Sequence, residues 1–412
     1  MSKNQPIMAR LNDIPRGIWV LGFVSLLMDV SSEMIHALLP VYLVTVMGTS
    51  MVTVGIIEGI AEATASIVKV FSGVISDWIG KRKMLVVIGY GLAAFTKPVF
   101  PLAGTVGWLV AARFIDRIGK GIRGAPRDAL IADIAPVELR GASFGLRQSL
   151  DTLGAVVGPM LAIAILWLTA NNFHAVFWIA VIPAFVSLAL LMFAVHEPER
   201  LAGLRKVRFP LSFPELKRLG SAYWLVVAVA TVFTLARFSE AFLILRAQAV
   251  GLPLVLVPMV LVVMNVVYSL AAYPAGVLSD RYNRLTMLAL GFSLLIAADI
   301  VLAFSNGLAG VAIGVALWGL HLGVTQGLLA TLIADTAPAE LRGTAYGVFN
   351  LMGGLALLAA SVLAGALWDS AGPQATFLVG AGFTALAIVG LGFARLCVAS
   401  LGASLKTNPE IH

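Results

Sequence analysis

The chain has 412 residues, of which 60% are hydrophobic and 12% charged, with a formal net charge of +7 and a mean hydropathy of +0.97. Soluble domains are about 45–50% apolar and about 25% charged, so this composition excludes a soluble protein and predicts a helical membrane protein. The single cysteine, Cys397, excludes an internal disulfide framework and a cysteine metal cluster.

Long apolar runs separated by short polar segments predict transmembrane helices along the whole chain. The first half, residues 1–195, is expected to hold six spans, near 17–47, 52–76, 84–103, 109–140, 141–168 and 174–195. Residues 196–220 contain three prolines and six basic residues, which predicts a polar linker. The second half, residues 221–412, is expected to hold six more spans, near 221–248, 254–278, 285–305, 307–335, 342–367 and 373–397.

Basic residues are distributed unevenly among the predicted loops. Lys and Arg concentrate in the N-terminal lead, the 81–83 turn, the linker, Arg281, Arg284 and the C-terminal tail, whereas the intervening loops have none. The positive-inside rule therefore predicts a multi-pass protein of the cell (inner) membrane with both termini and the linker in the cytoplasm. Because the loops account for the net positive charge, no nucleic-acid partner is expected.

The two halves repeat each other in the same orientation. Residues 131–141 read IADIAPVELRG and residues 333–343 read IADTAPAELRG, with nine of eleven positions identical at an offset of 202. Residues 73–77 and 276–280 also match, at an offset of 203. Two ordered matches predict two parallel six-helix halves, related by an axis along the membrane normal.

The fourth predicted span carries several charges on one helical face. Charges inside a membrane normally face a bundle interior or a wet cavity, although an internal ion-pair lattice is an alternative. Arg237 and Glu240 in span seven are three residues apart, which allows pairing within a helix. The residues expected to line a substrate cavity are Arg113, Asp116, Arg117, Lys120, Asp151, Arg237 and Glu240.

Acidic residues in the first two spans are candidates for proton coupling. Asp29 and Glu33 are four residues apart on one helical face, and Glu62 lies in span two. A carboxylate in a cavity that opens to either side in turn can bind and release a proton. We expect Glu33 to be the carrier, followed by Asp29 and Glu62; the alternative is a permanent ion pair of Glu33 with Arg113 or Arg117.

Motifs for other chemistries are missing from the sequence. The chain has no GxxxxGK[ST] nucleotide loop, no HExxH and no GxSxG elbow, so we expect no enzyme activity, no cofactor and transport driven by a gradient. His36, His321 and nearby methionines show no repeated ligand spacing, so no metal site is expected. Lys97 and Asp299 occupy nearly equivalent positions in the repeat, with no role assigned.

Several motifs resemble those of the major facilitator superfamily. GVISDWIGKRK at residues 73–83 is similar to its signature loop between helices two and three, and 133–141 is similar to its loop between helices four and five. Residues 113–116 resemble the start of its helix-four motif, which usually continues with glutamine and glycine where this chain has Asp116 and Arg117. Residues 154–159 resemble part of the glycine–proline element of its antiporters.

The resemblance implies a monomer with twelve helices that alternates access between the two sides of the membrane. Ion pairs at the inner mouth are expected to form when that mouth closes and to break when the halves rock apart; the alternative is ordinary surface pairing that sets topology. The residues expected to form this cytoplasmic gate are Asp77, Arg82, Glu138, Arg140, Asp280, Arg284, Glu340 and Arg342.

The sequence therefore predicts a secondary active transporter in which protons drive export of a small organic compound. The alternative is proton-coupled uptake of an anionic metabolite or metal chelate, for which Arg113, Arg117, Lys120 and Arg237 would supply a positive field. An intramembrane enzyme or a substrate-sensing receptor is a third class, but neither requires the internal repeat.

Overall fold

The computed structural model describes residues 11–39, 42–43, 46–49, 51–198, 212–252 and 258–406, and the regular elements in these ranges are helices. The first half contains α1 (Arg16–His36), α2 (Met51–Ile79), α3 (Arg82–Thr96), α4 (Val106–Ile134), α5 (Arg140–Leu168) and α6 (Phe173–Ala194). The second contains α7 in two pieces (Gly220–Ala236 and Ala241–Ala249), α8 (Pro258–Arg281), α9 (Arg284–Phe304) and α10 (Leu308–Thr336). The stretch Arg342–Lys406 turns at Gly372, where φ is 83°, and so forms α11 before this residue and α12 after it.

Length and hydropathy identify most of these helices as membrane spans. Among the described residues, nine helical stretches are long and apolar enough to cross a membrane, and α11 and α12 run together in this set. Helices α2 and α4 fall outside it, and the charged face of α4 explains its exclusion. Adding these two and separating α11 from α12 gives twelve helices, which confirms the predicted all-helical architecture.

The two halves meet through equivalent helix pairs, α2 with α11 and α5 with α8. Glycines allow this close approach in both pairs. A Cβ added to Gly141 would lie 2.5 Å from the carbonyl oxygen of Gly276, and one added to Gly343 would lie 2.5 Å from that of Gly73. A Cβ atom does not fit at such distances, so the glycines permit the two backbones to come into contact.

The repeated segments fold in the same way in each half. Pro136 and Pro338 have an extended backbone, and each is followed by a single 3-10 turn, at Val137–Leu139 and Ala339–Leu341. Helices α5 and α11 then begin at equivalent arginines, Arg140 and Arg342. The start of each helix is thereby placed against the opposite half, at the end of the bundle that also carries the basic 81–83 turn; we call this the basic end.

Two details of the predicted spans are wrong. Helix α1 ends at His36, and the chain is helical again at Leu39, Tyr42 and Leu43, so the predicted first span is interrupted instead of continuous. Helix α7 ends at Ala236 and resumes at Ala241, so Arg237 and Glu240 are not neighbours on one continuous helix face. Much of the predicted linker, residues 199–211, lies outside the described residues, and a short helix follows it at Phe213–Lys217.

Candidate functional site

Asp77, at the end of α2, binds the first turn of α11 in the opposite half. Its carboxylate accepts hydrogen bonds from the backbone N–H of Gly343 at 3.0 Å, and from the backbone N–H and hydroxyl of Thr344 at 2.6 and 2.8 Å. The first N–H groups of a helix have no partner within the helix and carry the positive end of its dipole, which attracts an anion. Asp77 therefore caps α11 across the interface between the halves.

Asp280, at the end of α8, makes the equivalent contact in the other direction. Its carboxylate accepts from the backbone N–H groups of Gly141 and Ala142, at 2.8 and 2.9 Å, in the first turn of α5. Both caps need the halves in contact at the basic end, so the structure is closed there.

Two ion pairs around the caps also cross between the halves, and two further arginines hold the same acids from within their own half. Arg140 pairs with Asp335 at 2.9 Å, and Arg342 pairs with Asp133 at 2.7 Å. Arg82 bridges Asp77 at 3.3 Å and Asp133 at 3.1 Å, and Arg284 pairs with Asp335 and, at 3.6 Å, with Asp280. We call this set the interhalf cluster: Asp77, Arg82, Asp133, Arg140, Asp280, Arg284, Asp335 and Arg342.

The interhalf cluster differs from the predicted gate in its acids. Glu138 is exposed and makes no ion pair within the described part of the chain, and Glu340 lies 4.0 Å from Arg218 of the linker helix. Asp133 and Asp335 take the places expected for these glutamates. Both aspartates belong to the repeated IAD-x-AP-x-ELRG segment, so the signal was present in the sequence, but the residue that pairs was not evident from it.

A second polar cluster lies inside the first half, where α1, α3 and α4 meet. His36 lies 3.5 Å from the carboxylate of Glu33 and 3.7 Å from that of Asp116, and Asp116 pairs with Lys97 at 2.9 Å. The exposed fraction of these side chains falls along the series: 36% for Glu33, 9% for His36, 3% for Asp116 and 0% for Lys97. The cluster therefore leads from an accessible acid to a fully enclosed ammonium group.

Arg117 lies against the same histidine. Its Nη2 atom is 2.8 Å from Nδ1 and 3.0 Å from Nε2 of His36, and its Nε atom is 3.8 Å from Asp116. His36 therefore lies between Glu33 and the charges of α4. Of the other predicted cavity residues on this helix, Arg113 is buried and Lys120 is half-buried.

Asp29 and Asp151 belong to a neighbouring polar group, where α1 faces α5. Asp151 pairs with Arg147 at 3.0 Å and lies 3.8 Å from Arg127. The glycines of the 154–159 element explain the close packing. A Cβ on Gly154 would lie 3.0 Å from the Cβ of Asp29, and one on Gly158 would lie 2.9 Å from the Cβ of Glu33.

The second half contributes fewer charges to the bundle interior. With the Gln326 amide oxygen placed toward it, Arg237 donates to that oxygen at 2.9 and 2.8 Å. Glu240 is exposed, and Arg246 donates to the carbonyl oxygens of Leu302 and Ser305, so Arg246 holds the end of α9 instead of lining a cavity. The predicted residue Glu62 has a side chain outside the described residues.

Three residues of this site had no assigned role in the sequence: His36, Lys97 and Ser32, whose hydroxyl is 3.0 Å from the Lys97 ammonium. The signal that was available is general, since a charged residue within a membrane needs a partner. Within the described part of the chain, no group of three or more His, Cys, Asp and Glu side chains is arranged to hold a metal ion.

The model of the Major Facilitator Superfamily matches residues 21–361 and 241–402. The chain belongs to the major facilitator superfamily. It is 32% identical over 377 residues to an MFS-type transporter of Methanocaldococcus jannaschii, covering 90% of this chain and 92% of that one. It is 26% identical over 390 residues to the Escherichia coli inner membrane transport protein YajR, covering 90% and 81%.

The fold is also that of solved transporters. The crystal structure of the E. coli fucose:proton symporter superposes with a TM-score of 0.74, at 16% sequence identity, over 92% of this chain and 98% of that one. The predicted family and fold are confirmed, and the protein is a multi-pass membrane transporter of this superfamily.

The Asp77 cap yields a test of closure. In Asp77→Asn the amide keeps one acceptor but loses the charge. We therefore expect the closed state to lose about 1–3 kcal/mol of stability, so that the basic end opens about 5- to 150-fold more often. The measurement is the alkylation rate of a cysteine at the buried position Ser76, introduced after replacing Cys397 with serine. The control is Glu138→Gln, which should leave the rate unchanged; equal rates in wild type and Asp77→Asn would contradict the role of the cap.

The contact of Arg117 with His36 yields a second test. Arg117→Ala should abolish transport in proteoliposomes, because Asp116 and His36 lose a charged neighbour in a buried site. Arg117→Lys should restore only part of the rate, since lysine offers a point charge instead of a planar fork. Wild-type transport by Arg117→Ala would show that this part of α4 is scaffold.

Proposed function

We propose that the protein is a proton-coupled exporter of small organic compounds, with Glu33 as the group that exchanges protons with the cavity. The observation that carries this proposal is the ordered cluster from Glu33 through His36 and Asp116 to Lys97. It joins an accessible carboxylate to a buried charge through a histidine, the side chain whose ordinary titration lies nearest neutral pH.

Proton exchange at Glu33 changes the charge that His36 and Arg117 experience. The ionised Glu33 carboxylate attracts both groups, and protonation of Glu33 removes this attraction. A cationic compound and a proton then compete for the same ionised carboxylate, as exchange of one for the other requires. Asp29, one turn away on α1 and next to Asp151, is the second candidate for this role, and Glu62 the third.

The interhalf cluster supplies the conformational step of the proposal. Its caps and ion pairs stabilise the state that is closed at the basic end, which the positive-inside rule assigns to the cytoplasm together with both termini. Opening this end breaks two helix caps and the two ion pairs that cross between the halves, so substrate or proton binding must favour the open state by a comparable amount. The glycine–proline segment at 154–159, packed directly on Asp29 and Glu33, favours export because it resembles the antiporter element.

Uptake of an anionic metabolite or metal chelate is the second candidate. The observation in its favour is the number of cations on α4, where Arg113, Arg117 and Lys120 share one side of the helix with Asp116 as their acidic neighbour. A transporter of this kind would use the same gate and proton site, with the substrate as the partner of the arginines. We propose that either cycle operates in a monomer.

Glu33→Gln tests the coupling. We expect this variant, reconstituted in liposomes, to lose the accumulation of ethidium that an imposed pH gradient drives, because a glutamine amide cannot exchange the proton. Ethidium binding to the purified variant should persist with less dependence on pH. Running carboxyfluorescein in parallel distinguishes export of a cationic compound from uptake of an anionic one.

The control for this experiment is Asp369→Asn, which neutralises an exposed carboxylate far from the cluster along the chain. It should transport as the wild type does. Unchanged pH-driven accumulation in Glu33→Gln would remove Glu33 as the carrier and direct attention to Asp29.

A further inference from the structure

His36 is the last residue of α1, and both nitrogens of its ring contact one atom of Arg117. The Nη2 atom of Arg117 lies 2.8 Å from Nδ1 and 3.0 Å from Nε2 of the ring. A guanidinium group only donates hydrogen bonds, so at least one ring nitrogen must accept. An imidazolium ring has two N–H donors and no acceptor. His36 is therefore neutral in the arrangement seen here.

The neighbouring carboxylates assign the tautomer of this neutral ring. Nε2 faces Oδ2 of Asp116 at 3.7 Å, and Nδ1 faces Oε1 of Glu33 at 3.5 Å. Placing the hydrogen on Nε2 directs it toward Asp116 and leaves the Nδ1 lone pair for the shorter of the two Arg117 contacts. The same lone pair faces Glu33, so it is also the place where a proton from Glu33 would add.

Protonation of Nδ1 would reverse these contacts. Both ring nitrogens would then donate, Nδ1 to Glu33 and Nε2 to Asp116, after approaches of about 0.5–0.7 Å to ordinary hydrogen-bond length. Arg117 would face two N–H groups and a second positive charge in direct contact, so its guanidinium would have to leave the ring. The hydrogen bond from Arg117 and the proton thus use one lone pair, and they exclude each other.

The position of His36 on its helix suits the protonated form as well as the neutral one. The last carbonyl groups of a helix carry the negative end of its dipole, which attracts an imidazolium. The side chain of Glu33 is 36% exposed and that of His36 is 9% exposed. A proton from the cavity therefore reaches Glu33 first and His36 second.

Charged side chains face this region from the helices of the first half. They are Glu33 on α1, Lys97 on α3, and Arg113, Asp116, Arg117 and Lys120 on α4. Helices α5 and α6 pack against α1. Helix α5 contributes Arg147 and Asp151, two turns from His36, and α6 contributes His174, which contacts the carbonyl oxygen of Pro101. The side chains of Glu58 and Glu62 on α2 lie outside the described residues.

We propose that His36 stores the proton that is exchanged for a small organic cation, and that Arg117 expels this proton from the ring. The inference rests on the proposed function, in which Glu33 exchanges protons with the cavity. A protonated Glu33 passes its proton to Nδ1 of His36, which leaves a carboxylate paired with an imidazolium, and Arg117 moves off the ring.

Binding of the organic cation reverses this step. The cation pairs with the Glu33 carboxylate, which then no longer stabilises the imidazolium. The proton leaves Nδ1 for the water of the cavity, and Arg117 donates to the vacated lone pair. Proton and organic cation thus compete for one carboxylate although they are bound at different atoms.

The exclusion is tested by nitrogen-15 NMR of the full chain with labelled histidine in lipid nanodiscs. The chain has five histidines, and the signals lost in His36→Gln are those of His36. Between pH 8.5 and 5.5 these signals should change from a neutral ring to an imidazolium. At the pH where about a tenth of wild-type His36 is imidazolium, Arg117→Gln should show at least about threefold more, because the competitor for Nδ1 is gone.

Lys120→Gln is the matched control for Arg117→Gln. It removes a positive charge from the same side of α4, at a residue that makes no hydrogen bond to the ring of His36, so it should raise the imidazolium fraction much less. Equal fractions in the wild type and Arg117→Gln would overturn the exclusion. A ring that stays neutral over the whole pH range in both proteins would overturn it as well.

Proton storage is tested by the protons released when ethidium binds to the purified chain in weakly buffered solution. At a pH where His36 is mostly imidazolium, the wild type should release about one proton per ethidium bound. His36→Gln should still bind ethidium through Glu33 and release less than about a tenth of a proton, whereas release at the wild-type level would show that the proton is not on His36.

Failure of the proposed function gives a different pattern. The wild type would then release no proton on binding ethidium, or would not bind it, while the NMR signals of His36 still responded to the loss of Arg117. That result would contradict the exchange of protons for organic cations and leave only the exclusion at the ring.

Discussion

The structure depends on two aspartates that cap helices belonging to the opposite half. Asp77 and Asp280 each place a carboxylate against the first turn of a helix that begins at an arginine of the repeated segment. Each cap satisfies backbone N–H groups that would otherwise lack partners and places a negative charge at the positive end of a helix. Glycines at 73, 141, 276 and 343 permit the approach, so the charge and the packing depend on the same short segments.

The polar interface between the halves exists only while the basic end is closed. The caps and the ion pairs Arg140–Asp335 and Arg342–Asp133 use atoms from both halves, so they are lost when the halves separate at the basic end. The contacts of Arg82 and Arg284 with their acids lie within one half and can be kept. Charged groups at the end of a bundle can exchange their protein partners for water more readily than apolar groups can. This property suits a contact that breaks in each turn of the proposed transport cycle. In the proposed cycle the helices of each half are expected to move together, which would keep the apolar contacts within that half.

The two halves share a fold but differ in how they hold charge. In the first half, acidic and basic side chains of α1, α3 and α4 contact one another, from Glu33 through His36 to the pair of Asp116 and Lys97. In the second half the interior contains Asp299 and His321 without hydrogen-bond partners among the described residues. The repeat therefore supplies a symmetric frame on which two chemically different interiors are built.

Much of the helical architecture could be predicted from the sequence, because the length of the apolar runs, the charges of the loops and the internal repeat can each be read directly from the chain. The motif singled out Asp77 and Asp280 and their arginine neighbours, but it did not reveal the helix caps, since these use backbone groups some 140 to 270 residues away along the chain. The break in α7 at Arg237 was missed because no glycine or proline marks it. Lys97 and Asp116 are brought together by the turn between α3 and α4, which only the tertiary arrangement shows.

The most direct test of this account is the distance between the halves at the basic end. Spin labels at the exposed positions Lys81 and Tyr282, in a chain whose Cys397 has been replaced, report that distance by double electron–electron resonance. We expect one short-distance population in the wild type and a shift to longer distances when Asp77→Asn and Asp280→Asn are combined. An unchanged distance distribution in the double variant would show that the interhalf caps do not hold the closed state.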